Sequence, residues 1–136
     1  AAVVLFCIPV AVHGLHHWSP VREDPYALTA GLLEALRNEV PKRSIVFSDL
    51  ETSYRISAFA PVYVAAAPPA HVADTLANRP YARRLSVIRY FASGDPAILD
   101  RYHADWVVVD RSRFDLRPKW RLVYEDARYA LYHRPS

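Results

Sequence analysis

Asp49 and Asp110 each stand just past a short apolar run, Ser44-Ile45-Val46-Phe47-Ser48 and Trp106-Val107-Val108-Val109. A carboxylate there lies at the carboxyl end of a strand, where open α/β sheets bind ligands. Two such groups on neighbouring strands converge and would suit a cation, sugar hydroxyls or an acid and base pair. The plainer reading is that Asp49 caps a helix and Asp110 a turn. Arg79, Arg83, Arg84 and Arg89 form one basic cluster, and Arg111, Arg113, Arg117, Lys119 and Arg121 form a second. Arginine forks match phosphate oxygens in pairs, so either cluster would suit an anionic headgroup or a pyrophosphate. A solvated face with local ion pairs is the competing reading. The candidate binding residues are therefore Asp49, Asp110, Arg83, Arg84, Arg111 and Arg113, with no catalytic residue and no metal site expected.

Other patterns carry less. His13, His16 and His17 are close enough to share a metal, but no carboxylate follows until Glu23, so a complete ligand set is not expected. Ser48 and Ser53 lack the Gly-x-Ser-x-Gly elbow of an activated nucleophile. With 3 Gly in the chain, neither a Walker loop nor a Gly-x-Gly-x-x-Gly turn is present, and no cofactor is expected. Net charge is +3, and only Lys42 and Lys119 among the 17 basic residues are lysines. That balance, without aromatics interleaved among exposed arginines, does not point to nucleic acid. Lone Cys7 allows no internal disulfide.

These residues need elements to hold them. Asp24-Pro25 reads as a cap and first-turn proline, and Leu28, Leu32, Leu36 and Val40 make one stripe, predicting a helix over Pro25–Glu39. After the strand at Ile45, Asp49 caps a helix over Leu50–Phe59, and Pro61–Ala66 is a second strand. Residues 67–75 read as a loop. Pro80–Ala92 is a helix with Tyr81, Leu85, Ile88 and Phe91 as its apolar stripe. Asp95-Pro96 starts another that ends near His103 and leads into the strand at Trp106. The alternations around Leu122 and Tyr129–His133, joined by Glu125-Asp126-Ala127-Arg128, predict an antiparallel hairpin. This order implies an α/β layered sandwich: a small mixed sheet, parallel in its core strands, with a C-terminal antiparallel hairpin and flanking helices.

The first 12 residues, AAVVLFCIPVAV, are apolar throughout. A bilayer-spanning helix needs about 20 such residues. The run therefore reads as the last turns of a membrane helix, as a buried element, or as a degraded signal. Trp18 and the histidines, typical of a membrane interface, favour the first. Residues 1–18 are accordingly read as the end of a transmembrane helix or a juxtamembrane segment, and 19–136 as one soluble domain.

The segments IVFSD, ETSYRISAFA, PVYVA, NRPYARRLSVIRYF, GDPAILDRYHADWVVVD and YEDARYALYHRP, in this order, resemble the C-terminal soluble domain of bacterial multi-pass membrane glycosyltransferases of the GT-C type. Related uncharacterised membrane proteins share the layout. The resemblance covers about Asp24 to Pro135 and rests on element order, with no single diagnostic motif. It implies an extracytoplasmic domain at the bacterial cell membrane, following a transmembrane portion of the same polypeptide that transfers sugar from a polyprenyl-phosphate lipid. Catalytic carboxylates in such proteins lie in an early extracytoplasmic loop, so the expected role here is accessory: covering the active site, holding a glycan or lipid phosphate, or making oligomeric contacts. A stand-alone sugar- or phosphate-binding module and a structural or dimerising domain are the alternatives.

Overall fold

The computed structural model describes residues 2–17 and 24–135. The expected interface residue Trp18 and the expected domain boundary fall outside them. The apolar N-terminal run forms helix α1 (Ala2–His17), which contains Pro9. Ile8, Val10, Val12 and Leu15 are exposed along it. Among the described residues, no helix is long and apolar enough to cross a membrane.

The remaining elements are α2 (Ala30–Asn38), β1 (Ile45–Phe47), α3 (Leu50–Phe59), β2 (Tyr63–Val64), α4 (Pro80–Ser93), α5 (Pro96–Tyr102), β3 (Trp106–Asp110), β4 (Arg121–Glu125) and β5 (Tyr129–His133). They build one five-stranded sheet in the order β2-β1-β3-β5-β4. β2, β1 and β3 run parallel, and β5 runs antiparallel between β3 and β4. The mixed α/β sandwich expected from the sequence is thus the observed fold.

Chain direction explains the layering. From β1 the chain crosses through α3 to β2 on one side, and from β2 it returns through α4 and α5 to β3 on the other. Crossovers of one hand that step in opposite directions place their helices on opposite faces of the sheet. Val46, Trp106, Val108, Tyr129 and Leu131 accordingly pack with Leu32 and Leu36 of α2 and Ile56 of α3. Phe47, Val107, Val109, Ala130 and Tyr132 pack with Val87 and Tyr90 of α4 and Leu99 of α5. Buried on both faces, β3 has no polar residue until Asp110, as a central parallel strand requires.

Two expectations need correction. α2 starts at Ala30, not Pro25, because Thr29 is the N-cap: its hydroxyl accepts from Leu32 N–H. Asp24 instead closes a turn onto Tyr26 N–H. In α4, the stripe read as core points outward, with Tyr81, Leu85 and Ile88 each more than half exposed. The buried face is Pro80, Ser86, Val87 and Tyr90. Ser86 is tolerated there because its hydroxyl donates to Ala82 O and accepts from Tyr102 Oη. α4 ends at Gly94, whose φ of 69° closes the helix in the left-handed region.

Candidate functional site

β1 and β3 are parallel neighbours, with Val46 opposite Trp106 and Phe47 opposite Val107. Their connections leave in opposite directions, so their carboxyl ends form the switch-point crevice of the sheet. Asp49 and Asp110 both stand at this end, and both are buried. Asp49 caps α3: Oδ1 accepts from the N–H groups of Glu51 at 3.1 Å and Thr52 at 3.2 Å. The same oxygen accepts from the Arg113 guanidinium at 2.7 Å. Oδ2 of Asp49 is enclosed and accepts no hydrogen bond from the described residues. Asp110 Oδ1 accepts from Ser112 N–H and from its hydroxyl. Its Oδ2 accepts from Arg128, from Nη2 at 3.0 Å and Nε at 3.3 Å.

A wider charge network surrounds the pair. Arg55 donates two hydrogen bonds to Asp24 and one to Glu51 Oε2. The Tyr26 ring lies 5.3 Å from the Arg55 guanidinium and 6.0 Å from that of Arg113. Burial works against the charge on Arg55 and Arg128, yet hydrogen bonds to Asp24 and Glu51, and to Asp110, hold both pKa values above the ordinary one. The Tyr26 N–H and then Arg55 hold the Asp24 carboxyl below its ordinary range. Burial first, with the Asp49 and Asp110 charges adding to it against an opposing Arg128, pushes the Tyr129 phenol up.

This arrangement limits the chemistry. Each switch-point carboxylate is neutralised by an arginine, so a second cation there would have to displace a guanidinium. The first N–H groups of α3 are already capped by Asp49 and do not offer an anion site. What remains open is a cleft of about 560 Å³ between the start of α3, the second half of α4 and the segment after β3. Leu50, Val87, Ile88, Phe91 and Phe114 form its apolar wall, and its polar edge holds Arg84 and Arg113 together with Asp49 and Glu51, which pair with Arg113 and Arg55. The Phe91 and Phe114 rings pack 4.3 Å apart between centroids. The Arg84 side chain makes no ion pair or hydrogen bond with the described residues, while Arg113 has spent part of its fork on Asp49. An apolar wall beside an unpaired guanidinium suits a molecule with an apolar body and an anionic end.

Of the six sequence-selected residues, Asp49, Arg84 and Arg113 line this cleft together. Asp110 stands at the end of the neighbouring strand, bonded to Arg128. Arg83 is tied elsewhere, donating to Ala65 O and Asn78 O, with its guanidinium 5.2 Å from the Tyr102 ring. Arg111 pairs with Glu125 on the hairpin. Sequence reasoning did not select Arg128, Arg55 or Tyr26. The register of Asp110 opposite Tyr129 puts Arg128 beside Asp110, so the strand pairing, had it been known, would have found it. Among the described residues, no group of three or more His, Cys, Asp or Glu is placed to hold a metal ion. Compared with protein-family models, with curated proteins and with solved structures, the chain matches none.

Proposed function

We propose that this chain is an accessory, non-catalytic extracytoplasmic domain of a membrane-embedded glycosyltransferase that uses a lipid-phosphate sugar donor. The observation that carries the reading is α1, a helix of apolar side chains exposed along Ile8, Val10, Val12 and Leu15, placed ahead of an α/β domain. The resemblance to GT-C C-terminal domains agrees with that order. The ion pairs of Asp49 with Arg113 and of Asp110 with Arg128 also agree, because both carboxylates are already engaged within the fold. From His17 to Asp24 there are seven peptide steps, which span at most about 25 Å. Since Arg55 and Arg128 bind Asp24 and the Pro25 carbonyl, the chain enters the domain at the cleft end of the sheet. A membrane-seated α1 would therefore keep the cleft close to the bilayer, where a glycan or polyprenyl-phosphate is held.

The coding sequence ahead of Ala1 tests this. A series of ~20-residue apolar segments, with Asp or Glu in the first extracytoplasmic loop, is the expected finding. A start codon or secretion signal immediately upstream would overturn it. The cleft volume favours a second reading, a self-sufficient binding module, because pockets of a few hundred Å³ hold small molecules. Thermal shift with sugars, sugar phosphates and divalent ions checks that reading, and an unchanged melting temperature counts against it.

A further inference from the structure

α4 has a surface that the fold does not use. Tyr81, Leu85 and Ile88 follow one another at four and three residues, share the outward face, and are 60%, 54% and 53% exposed. Covering such a stripe removes apolar surface from water and is favourable, so the face is available to a partner. The flanks of the stripe are basic. α4 contains three arginines and no acidic residue, and a fourth arginine, Arg79, is its N-cap. A groove of about 310 Å³ beside it is edged by Arg79, Arg83, Arg89 and Arg101, with no carboxylate in its lining. The side chains of Arg84, Arg89 and Arg101 make no ion pair or hydrogen bond with the described residues. This differs from the sheet end, where Arg55, Arg113 and Arg128 are each matched by a carboxylate. The unmatched positive charge therefore gathers around the unburied apolar stripe.

We infer that the outer face of α4 is a docking surface for an anionic lipid bilayer. Leu85, Ile88 and Tyr81 enter the interfacial layer, and the guanidinium groups of Arg84, Arg89 and Arg101 receive lipid phosphates. Side chains of this composition on one face of a helix, apolar in the centre and arginine at the flanks, are what an interfacial helix presents to acidic headgroups. A protein partner would need an acidic rim around an apolar centre, whereas an acidic membrane supplies negative charge over the whole footprint. The inference uses the membrane-tethered reading for its occupant and adds an orientation: Ile88 and Arg84 also line the cleft, so docking brings the cleft edge against the lipid surface.

The full chain tests it, with Cys7→Ser and an environment-sensitive fluorophore on Leu85→Cys. Vesicles of phosphatidylcholine alone are compared with vesicles that also contain phosphatidylglycerol. If α1 tethers the chain, it sediments with both. The label at 85 shifts to the blue only on the anionic vesicles, and a label on Ser57→Cys, on α3 in the opposite layer, stays in water. Arg84→Gln with Arg89→Gln lowers the docked-to-undocked ratio about 25-fold, from ~5-fold for each basic residue lost at an anionic surface. Sedimentation with an unshifted label at 85, or equal shifts at 85 and 57, overturns the docking face and leaves the tether standing. Equal shifts on both vesicle types overturn the role of the arginines. Binding to anionic vesicles alone, with the shift at 85, removes the tether and supports the face; binding to neither overturns both.

Discussion

The Asp49–Arg113 pair is unequal, and the inequality has a measurable consequence. The Asp49 side chain is 3% exposed, whereas that of Arg113 is 35% exposed. Arg113→Ala leaves a carboxylate in the interior with only the Glu51 and Thr52 N–H groups on Oδ1 and nothing on Oδ2. Removing one partner of a buried pair costs about 3–5 kcal/mol. The two remaining backbone donors and the partial exposure of Arg113 reduce this to about 2–3 kcal/mol. Asp49→Asn removes the same charge pair but retains a side chain that caps helices well. The abandoned Arg113 turns to water, and the cost is about 1 kcal/mol. In the double variant no buried charge remains, so it is less unstable than Arg113→Ala alone, with a coupling of about 1–2 kcal/mol. Urea denaturation of the four proteins reads these differences, and each kcal/mol corresponds to roughly 4 °C in melting temperature for a domain of this size. Asp49→Asn proving costlier than Arg113→Ala, or the two changes adding without coupling, would refute the argument from burial.

Three further outcomes are expected. Burial opposes ionisation of Asp126, but hydrogen bonds from Thr29, Tyr124 and the N–H groups of Tyr129 and Arg128 outweigh it and lower its pKa. A lowered folded pKa gives stability that is present above the unfolded value of about 3.9 and is lost as pH falls through the folded value. The destabilisation of Asp126→Asn relative to the parent is therefore larger at pH ~7 than at pH ~3, as read by urea titration at each. Second, a Cβ on Gly31 would overlap the Tyr124 phenol oxygen. Gly31→Ala should cost about 1–3 kcal/mol, and combining it with Tyr124→Ala should cost less than the sum in the same assay. Third, Leu85→Ser or Ile88→Ser changes stability by less than about 0.5 kcal/mol, while Val87→Ala costs about 2 kcal/mol. Thermal denaturation distinguishes this outward stripe from one that faces the core.

Elements with strong local signals were legible. Asp49 and Asp95-Pro96 announce α3 and α5 through caps that need only neighbouring residues. The continuous apolar run at Trp106 marks a strand covered on both faces. Asp24-Pro25 carries the same local signal as Asp95-Pro96, but Asp24 is drawn to Arg55, 31 residues away, and helix initiation passes to Thr29. In α4, periodicity identifies a helix without identifying its inner side. Counting apolar residues chose Tyr81, Leu85 and Ile88, because the local sequence does not show that Tyr102 would satisfy a buried Ser86. The two aspartates were found from their place after strands. Their arginines were not, because Arg113 and Arg128 sit in connecting segments whose position follows from sheet order, and sheet order is a property of the assembled fold.

β5 follows the other four strands of the sheet in sequence, yet it lies inside the sheet, bonded to β3 on one side and β4 on the other. During synthesis, β1, β2, β3 and the helices α1–α5 are made before the strand that completes the centre. Until Tyr129–His133 emerges, β3 lacks a neighbour along one whole edge, and Asp110 lacks the Arg128 that neutralises it. The domain therefore cannot close progressively from its N-terminal side as it is made. Its folding waits for the β4–β5 hairpin, and a chain in which β3 is free but β5 is not yet available presents an open sheet edge, a ready target for chaperones or for pairing with another chain.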